Sequence, residues 1–323
     1  MTKPFKTYDE QLQILESRGM LFDNRDDAKR FLETESYYNI INGYKDPFII
    51  AGTDNFLPKT SFEYIKRLYL FDKRLRHSCL VALLEIETML KSIIAYEFAA
   101  AYGECAYLDI ANFNTYNHKT REKSNKLISH LNTIIKKCYD NEDFSNDNIR
   151  HYIDNHGEVP IWVLFSHITL TELSKFYECL LPNSKKAICE HIQALYPYPI
   201  SPDELYVYFR ILTNIRNLCA HNLRLYNYRT VYEISPKNYW FAKFRTTYGQ
   251  DLKCNNIIAL LIILNHLGNR KLYIKFIQDF ISELEALLDI PPEFAVSLNR
   301  HQNYSLFTMA RIIIDSSKAI INT

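Results

Sequence analysis

Arg216-Asn217-Leu218-Cys219-Ala220-His221 places a permanent cation, an amide and an imidazole within six residues of an otherwise apolar run. These are groups that handle a phosphodiester. The planar guanidinium of Arg216 can hold two phosphate oxygens and stabilise charge that develops in a transition state. The imidazole of His221 belongs to the side chain that exchanges protons near neutral pH. Metal-free cleavage of RNA needs both: the 2′-hydroxyl is deprotonated, extra negative charge at phosphorus is stabilised, and the leaving 5′-oxygen is protonated. His221 suits the proton transfers, Arg216 the charge, and Asn217 the orientation of the imidazole or the phosphate. Arg224, read as one turn beyond His221 on the same face, is a candidate second phosphate contact. Taken alone, the spacing is more simply a surface helix whose cations face water.

The helix that must carry these groups has a legible start. Ser201 suits the N-cap, Pro202 the first helical position, and Glu204 completes a capping box. No Gly or Pro interrupts residues 203 to 226, which predicts a helix from Asp203 to Tyr226. Its apolar face would hold Ile211, Ile215, Leu218, Cys219, Leu225 and Tyr226, and its polar face Thr213, Arg216, Asn217, Ala220, His221 and Arg224. Asn222 falls in the middle of the apolar face, so its amide is expected to bond a neighbouring helix.

Helical periodicity recurs elsewhere. Helices are expected at Tyr8 to Arg18, Arg25 to Thr34, Ser61 to about Tyr102, Lys119 to Tyr139, Thr169 to Leu180 and Ser184 to Leu195. Three more are expected at about Asn255 to Leu267, Lys271 to Leu288 and Tyr304 to Ile321. The polar segment 141–160 reads as a loop with a helical turn, and Trp162 after Pro160 as a core anchor. Asp72 with Arg76, and Glu87 with Lys91, are acid-before-base pairs four residues apart.

Composition excludes several classes. The 323 residues include only 7 Gly and 11 Pro, which favours an all-α chain. Seven Cys without CxxC spacing argue against a disulfide framework and a zinc site, and no Asp/Glu/His cluster has metal-ligand spacing. No Gly-rich phosphate loop or nucleophile elbow occurs, so no cofactor is implied. A net charge of +1 confines any RNA contact to local basic patches. The N-terminus has no secretory h-region, and the most apolar run, Ile257 to Leu264, is too short to span a bilayer. A cytoplasmic protein without membrane partners is the expectation.

The R-N-L-C-A-H run resembles the HEPN ribonuclease signature: Arg, a polar residue, a short gap, then His. Four blocks, in order along the chain and the last containing that run, resemble the abortive-infection Abi-like family. They are Tyr37-Tyr38-Asn39-Ile40-Ile41-Asn42-Gly43-Tyr44 with Asp46-Pro47-Phe48, then Phe71 to Arg76 with Glu85-Ile86-Glu87, then Val159 to Val163, then RNLCAHNLRLYN through Asn227. The resemblance runs from about Lys3 to Tyr228. It implies a HEPN-type helical bundle at residues 61–230, with an N-terminal helical extension at 1–60 and a C-terminal helical cap at 231–323.

The same resemblance implies a metal-independent endoribonuclease of an abortive-infection or toxin-antitoxin system, leaving 2′,3′-cyclic phosphate and 5′-hydroxyl ends. Arg216, Asn217 and His221 would be catalytic, and Arg224, Glu87, Lys91 and Arg76 RNA-binding or supporting. Glu85, Glu87 and Lys91 either brace Arg216 or are ordinary solvated charges. One motif supplies one imidazole, so a homodimer that pairs two copies is implied, together with a separate protein or RNA antitoxin. The competing reading is a non-catalytic RNA-binding module of a phage-defence system. Tyr37, Tyr38, Gly43 and Tyr44 read as a structural corner.

Overall fold

A computed structural model describes residues 4–140, 147–196, 198–248, 253–268, 270–285, 287 and 290. The chain is all-α. In order the helices are α1 (Tyr8–Ser17), α2 (Arg25–Glu35), α3 (Phe62–Tyr102), α4 (His118–Asp140), α5 (Asp147–His156), α6 (Ile161–His167), α7 (Leu170–Cys179), α8 (Pro182–Leu195), α9 (Pro202–Ala220), α10 (Tyr239–Tyr248), α11 (Ile257–Leu267) and α12 (Arg270–Glu285). A π-helical turn, Tyr38–Asn42, and a 3-10 turn, Asp46–Phe48, follow α2.

Local chemistry sets many of the ends. Capping boxes start α1 at Thr7 with Glu10 and α7 at Thr169 with Glu172, and Asn24 caps α2. The long helix α3 ends at Gly103, whose φ of +100° suits a residue without a side chain. Its N–H donates to Ala99 O at 2.8 Å.

Three expectations are corrected. Segment 141–160 contains the ten-residue helix α5; Ile149 is its one fully buried side chain among those described, so little apolar periodicity betrayed it. Trp162 is not a core anchor: Ile161, Leu164 and Phe165 turn inward at helical spacing and leave Trp162 52% exposed. The helix bearing the Arg/His motif stops at Ala220, six residues short of Tyr226. The helix expected at Tyr304 to Ile321 lies outside the described residues.

Contacts divide the chain into two compact units. The first combines Met1–Cys79, Leu218–Tyr228 and Ile274–Thr323, and the second Leu80–Asn217 and Arg229–Tyr273. The division runs inside α3, α9 and α12.

The second unit is built on interlocked aromatics. Phe176 meets Phe98, Phe113 and Phe165 at centroid distances of 5.3, 5.4 and 5.0 Å, in the edge-to-face range favoured by ring quadrupoles. Buried His266 bonds the Tyr208 hydroxyl at 2.9 Å, and burial lowers its pKa. Among the described residues no helix is long and apolar enough to cross a membrane.

The first unit is organised around a buried charge. Leu12, Leu15, Leu32, Ile40, Phe48, Leu68 and Phe71 fill its apolar core. Within that unit the Asp72 carboxylate is fully buried and accepts from four donors. The Tyr44 hydroxyl donates at 2.6 Å, Leu225 N–H at 3.1 Å, Tyr226 N–H at 2.6 Å, and Arg76 through Nη1. The guanidinium also donates to the Tyr44 hydroxyl at 2.9 Å. Burial works against the charge on Arg76, but Asp72 outweighs it and raises the guanidinium's pKa. Tyr44 stacks on Tyr226 at 5.8 Å and meets Tyr69 edge-on at 5.3 Å. Of the Tyr/Gly block, Tyr44 is thereby a structural corner.

Removing Asp72 leaves Arg76 charged and two backbone N–H groups without acceptors in a dry interior. Asp72→Ala is expected to cost about 3–5 kcal/mol of stability, measured by urea denaturation. A change below about 0.5 kcal/mol would mean that the network contributes no more than a surface substitution.

Candidate functional site

The capping box read from the sequence starts α9. Ser201 Oγ accepts from Glu204 N–H at 3.2 Å, and Glu204 Oε2 accepts from Ser201 N–H at 3.0 Å. Ile211, Ile215, Leu218 and Cys219 are buried, whereas Arg216 and Asn217 are half-buried and Ala220 and His221 exposed. The expected apolar and polar faces therefore hold as far as the helix runs, except at Thr213, expected on the polar face but buried at 8% exposure.

A Schellman-type turn then stops it. Asn222 takes a φ of +55°, Asn222 N–H donates to Cys219 O at 3.3 Å, and Leu223 N–H donates to Leu218 O at 3.0 Å. Two carbonyls at the helix end are thereby satisfied by backbone. Asn, like Asp, enters this left-handed region at lower cost than most side-chain-bearing types. Asn222 is exposed, which corrects the expectation of a buried amide bonding another helix.

His221 is the first residue past α9, and its imidazole has no hydrogen-bond partner among the described residues. The Asn217 amide likewise has none. Arg216 keeps a buried Nε without an acceptor, a state that costs about 1–3 kcal/mol unless a ligand supplies one.

The supporting residues fall elsewhere than expected. Arg224 is past the helix end and not on a shared face with His221. Its Nη1 donates to Gly43 O at 2.6 Å and to Asp46 Oδ2 at 3.1 Å, which ties the segment after the motif to the Tyr/Gly block. Arg76 is 3% exposed and committed to Asp72 and Tyr44, so it supports the fold. Glu87 is buried and pairs with Lys91 at 2.8 Å. Its other oxygen has no partner, and no described bond joins Glu85, Glu87 or Lys91 to Arg216.

Of the other histidines, His130 and His191 are paired with Glu172 and Glu97, each at 2.6 Å. His167 has its pKa lowered first by burial and then by Lys91. Among the described residues no group of three or more His, Cys, Asp or Glu could hold a metal. Sequence reading assigned no function to Asn39 and Asn42, which line a cavity with Asn222. Only their place in the Tyr/Gly block could have singled them out.

A family model described as Abi-like protein matches residues 30–227. No curated protein and no solved structure matches the chain. The matched span holds the Tyr/Gly block, the Asp72 network and the whole of the Arg/His motif, and the chain belongs to the Abi-like protein family.

Proposed function

We propose that this chain is a metal-independent endoribonuclease of a prokaryotic abortive-infection or toxin-antitoxin system, leaving 2′,3′-cyclic phosphate and 5′-hydroxyl ends. The observation that carries the reading is His221, exposed and uncommitted at the end of the helix that bears Arg216 and Asn217. Backbone N–H groups cap the helix, so the imidazole is spent neither on capping nor on packing. His221 takes the 2′-hydroxyl proton or protonates the 5′-oxygen, and the guanidinium of Arg216 meets the charge that grows at phosphorus. The orphaned Nε of Arg216 fits a group whose acceptor is the substrate. Asn217 orients the phosphate or the imidazole. Arg224 acts by holding the segment that follows His221.

Acid and base are both needed, and one chain offers one imidazole in this setting. The active species in this reading is a homodimer with two motifs facing each other. A separate antitoxin restrains it in the host cytoplasm.

His221→Ala is expected to cut the cleavage rate by about 100-fold or more without shifting the thermal unfolding midpoint, because an exposed side chain leaves no cavity. Arg216→Ala should lose a similar factor. Cleavage by His221→Ala at the wild-type rate would remove the motif from the active site. Wild-type protein that binds RNA without cutting it would turn the reading to a binding module.

The substrate's own 2′-hydroxyl is the nucleophile in this reading, so cleavage should persist in excess EDTA and stop at a 2′-deoxy nucleotide. Chelator-sensitive cutting that leaves 3′-hydroxyl ends would point to a metal-activated water. Light scattering at assay concentration should find a dimer; full activity from a monomer would overturn the pairing.

A further inference from the structure

Beside His221, within the first unit, lies a cavity of about 420 Å³. That is inside the range of roughly 300–1,000 Å³ in which small-ligand pockets fall. Its cations are already matched. Lys73 Nζ donates to Glu35 at 2.5 Å, and Arg224 is held by Gly43 O and Asp46. Its uncommitted groups are neutral: Asn39, Asn42 and Asn222 are exposed amides without a hydrogen-bond partner among the described residues, and Tyr38 is a 71% exposed ring. Such a lining suits a flat, uncharged, polar group better than a phosphate. An amide offers a donor and an acceptor side by side, the pattern that reads the edge of a nucleobase, and an exposed ring offers a stacking face.

Two further observations support a built recess. Gly43, in its wall, has an ordinary helical φ of −76°, and a Cβ there would meet nothing within 4 Å. Neither strain nor crowding requires the glycine; it leaves the wall without a side chain. Tyr44, also in the wall, is locked by Asp72, Tyr69 and Tyr226, so one side is rigid before any ligand arrives. Asn222 and Leu223 directly follow His221, and consecutive Cα atoms are about 3.8 Å apart. The cavity therefore borders the backbone that directly follows His221.

We propose that this cavity holds one unstacked nucleobase of single-stranded RNA, next to the scissile phosphate, and that Asn39, Asn42 and Asn222 read its edge while Tyr38 stacks on it. The proposal rests on the ribonuclease reading for its substrate class and adds a base preference to it.

Binding and cleavage separate the two. A His221→Ala background and non-cleavable 2′-O-methyl heptamers, varied one base at a time, give affinities by fluorescence anisotropy; the wild-type protein on matching RNA heptamers gives cleavage rates. One position should show a base preference of roughly tenfold or more. Asn39→Ala, Asn42→Ala and Asn222→Gly, the last keeping the left-handed backbone, should each reduce it to below about threefold. Tyr38→Ala should weaken all sequences, and Tyr116→Ala, 95% exposed and outside the cavity's lining, should leave affinity and preference unchanged.

Cleavage with a preference that none of the three Asn variants alters would overturn the pocket and leave the nuclease standing. Binding with a preference that they abolish, but no cleavage, would support the pocket and overturn the nuclease. Neither binding nor cleavage would overturn both.

Discussion

A single carboxylate organises the surroundings of the motif. Asp72 gathers the Tyr44 hydroxyl, the Arg76 guanidinium and the backbone N–H groups of Leu225 and Tyr226 around one buried charge. Backbone donors cannot be exchanged for another side chain, so the chain just past His221 has one acceptable course. Arg224 then pins Gly43 and Asp46 from that segment. The Tyr/Gly block, the first half of α3 and the residues after the motif thus become one object. A buried ion pair replaced by well-packed apolar groups often costs nothing. Here the carboxylate also satisfies two main-chain donors, which an apolar side chain cannot do.

How far the sequence could foretell this is clearest from two pairs on one helix. Asp72 with Arg76 and Glu87 with Lys91 carry the same acid-before-base spacing, and both pairs form. Spacing along α3 is enough for that. It does not say that Asp72 and Arg76 would be almost completely buried while Lys91 keeps 19% of its side-chain surface exposed. That difference comes from Leu225 and Tyr226, 153 and 154 residues further along. Helix starts were readable because Ser201 and Glu204 act on neighbouring backbone. The end of α9 was not, since the apolar residues Leu225 and Tyr226 continue the helical period by coincidence. They are buried by a chain that has already left the helix. Asn222 carried the local signal: an Asn just after a polar face tolerates the left-handed turn.

The site divides in the same way. Arg216, Asn217 and His221 could be picked out because their chemistry is uncommon on an apolar helix. That Arg224 and Arg76 are held by Asp46 and by Asp72 with Tyr44 could not, because those partners lie on remote segments. Trp162 shows the limit for apolar residues. Its size suggested an interior position, but three inward neighbours on a seven-residue helix leave it no inward place.

The distance along the chain between Asp72 and Tyr226 also has a meaning in time. A ribosome adding about 5–20 residues per second needs roughly 8–31 s to travel the 154 positions that separate them. Until then the carboxylate on α3 lacks its full set of main-chain donors, and the imidazole itself is added only five residues before Tyr226. An unfinished chain consequently carries the Tyr/Gly block and Asp72 without the groups that complete them. The motif and the network that braces it are completed together, within five residues of each other along the chain.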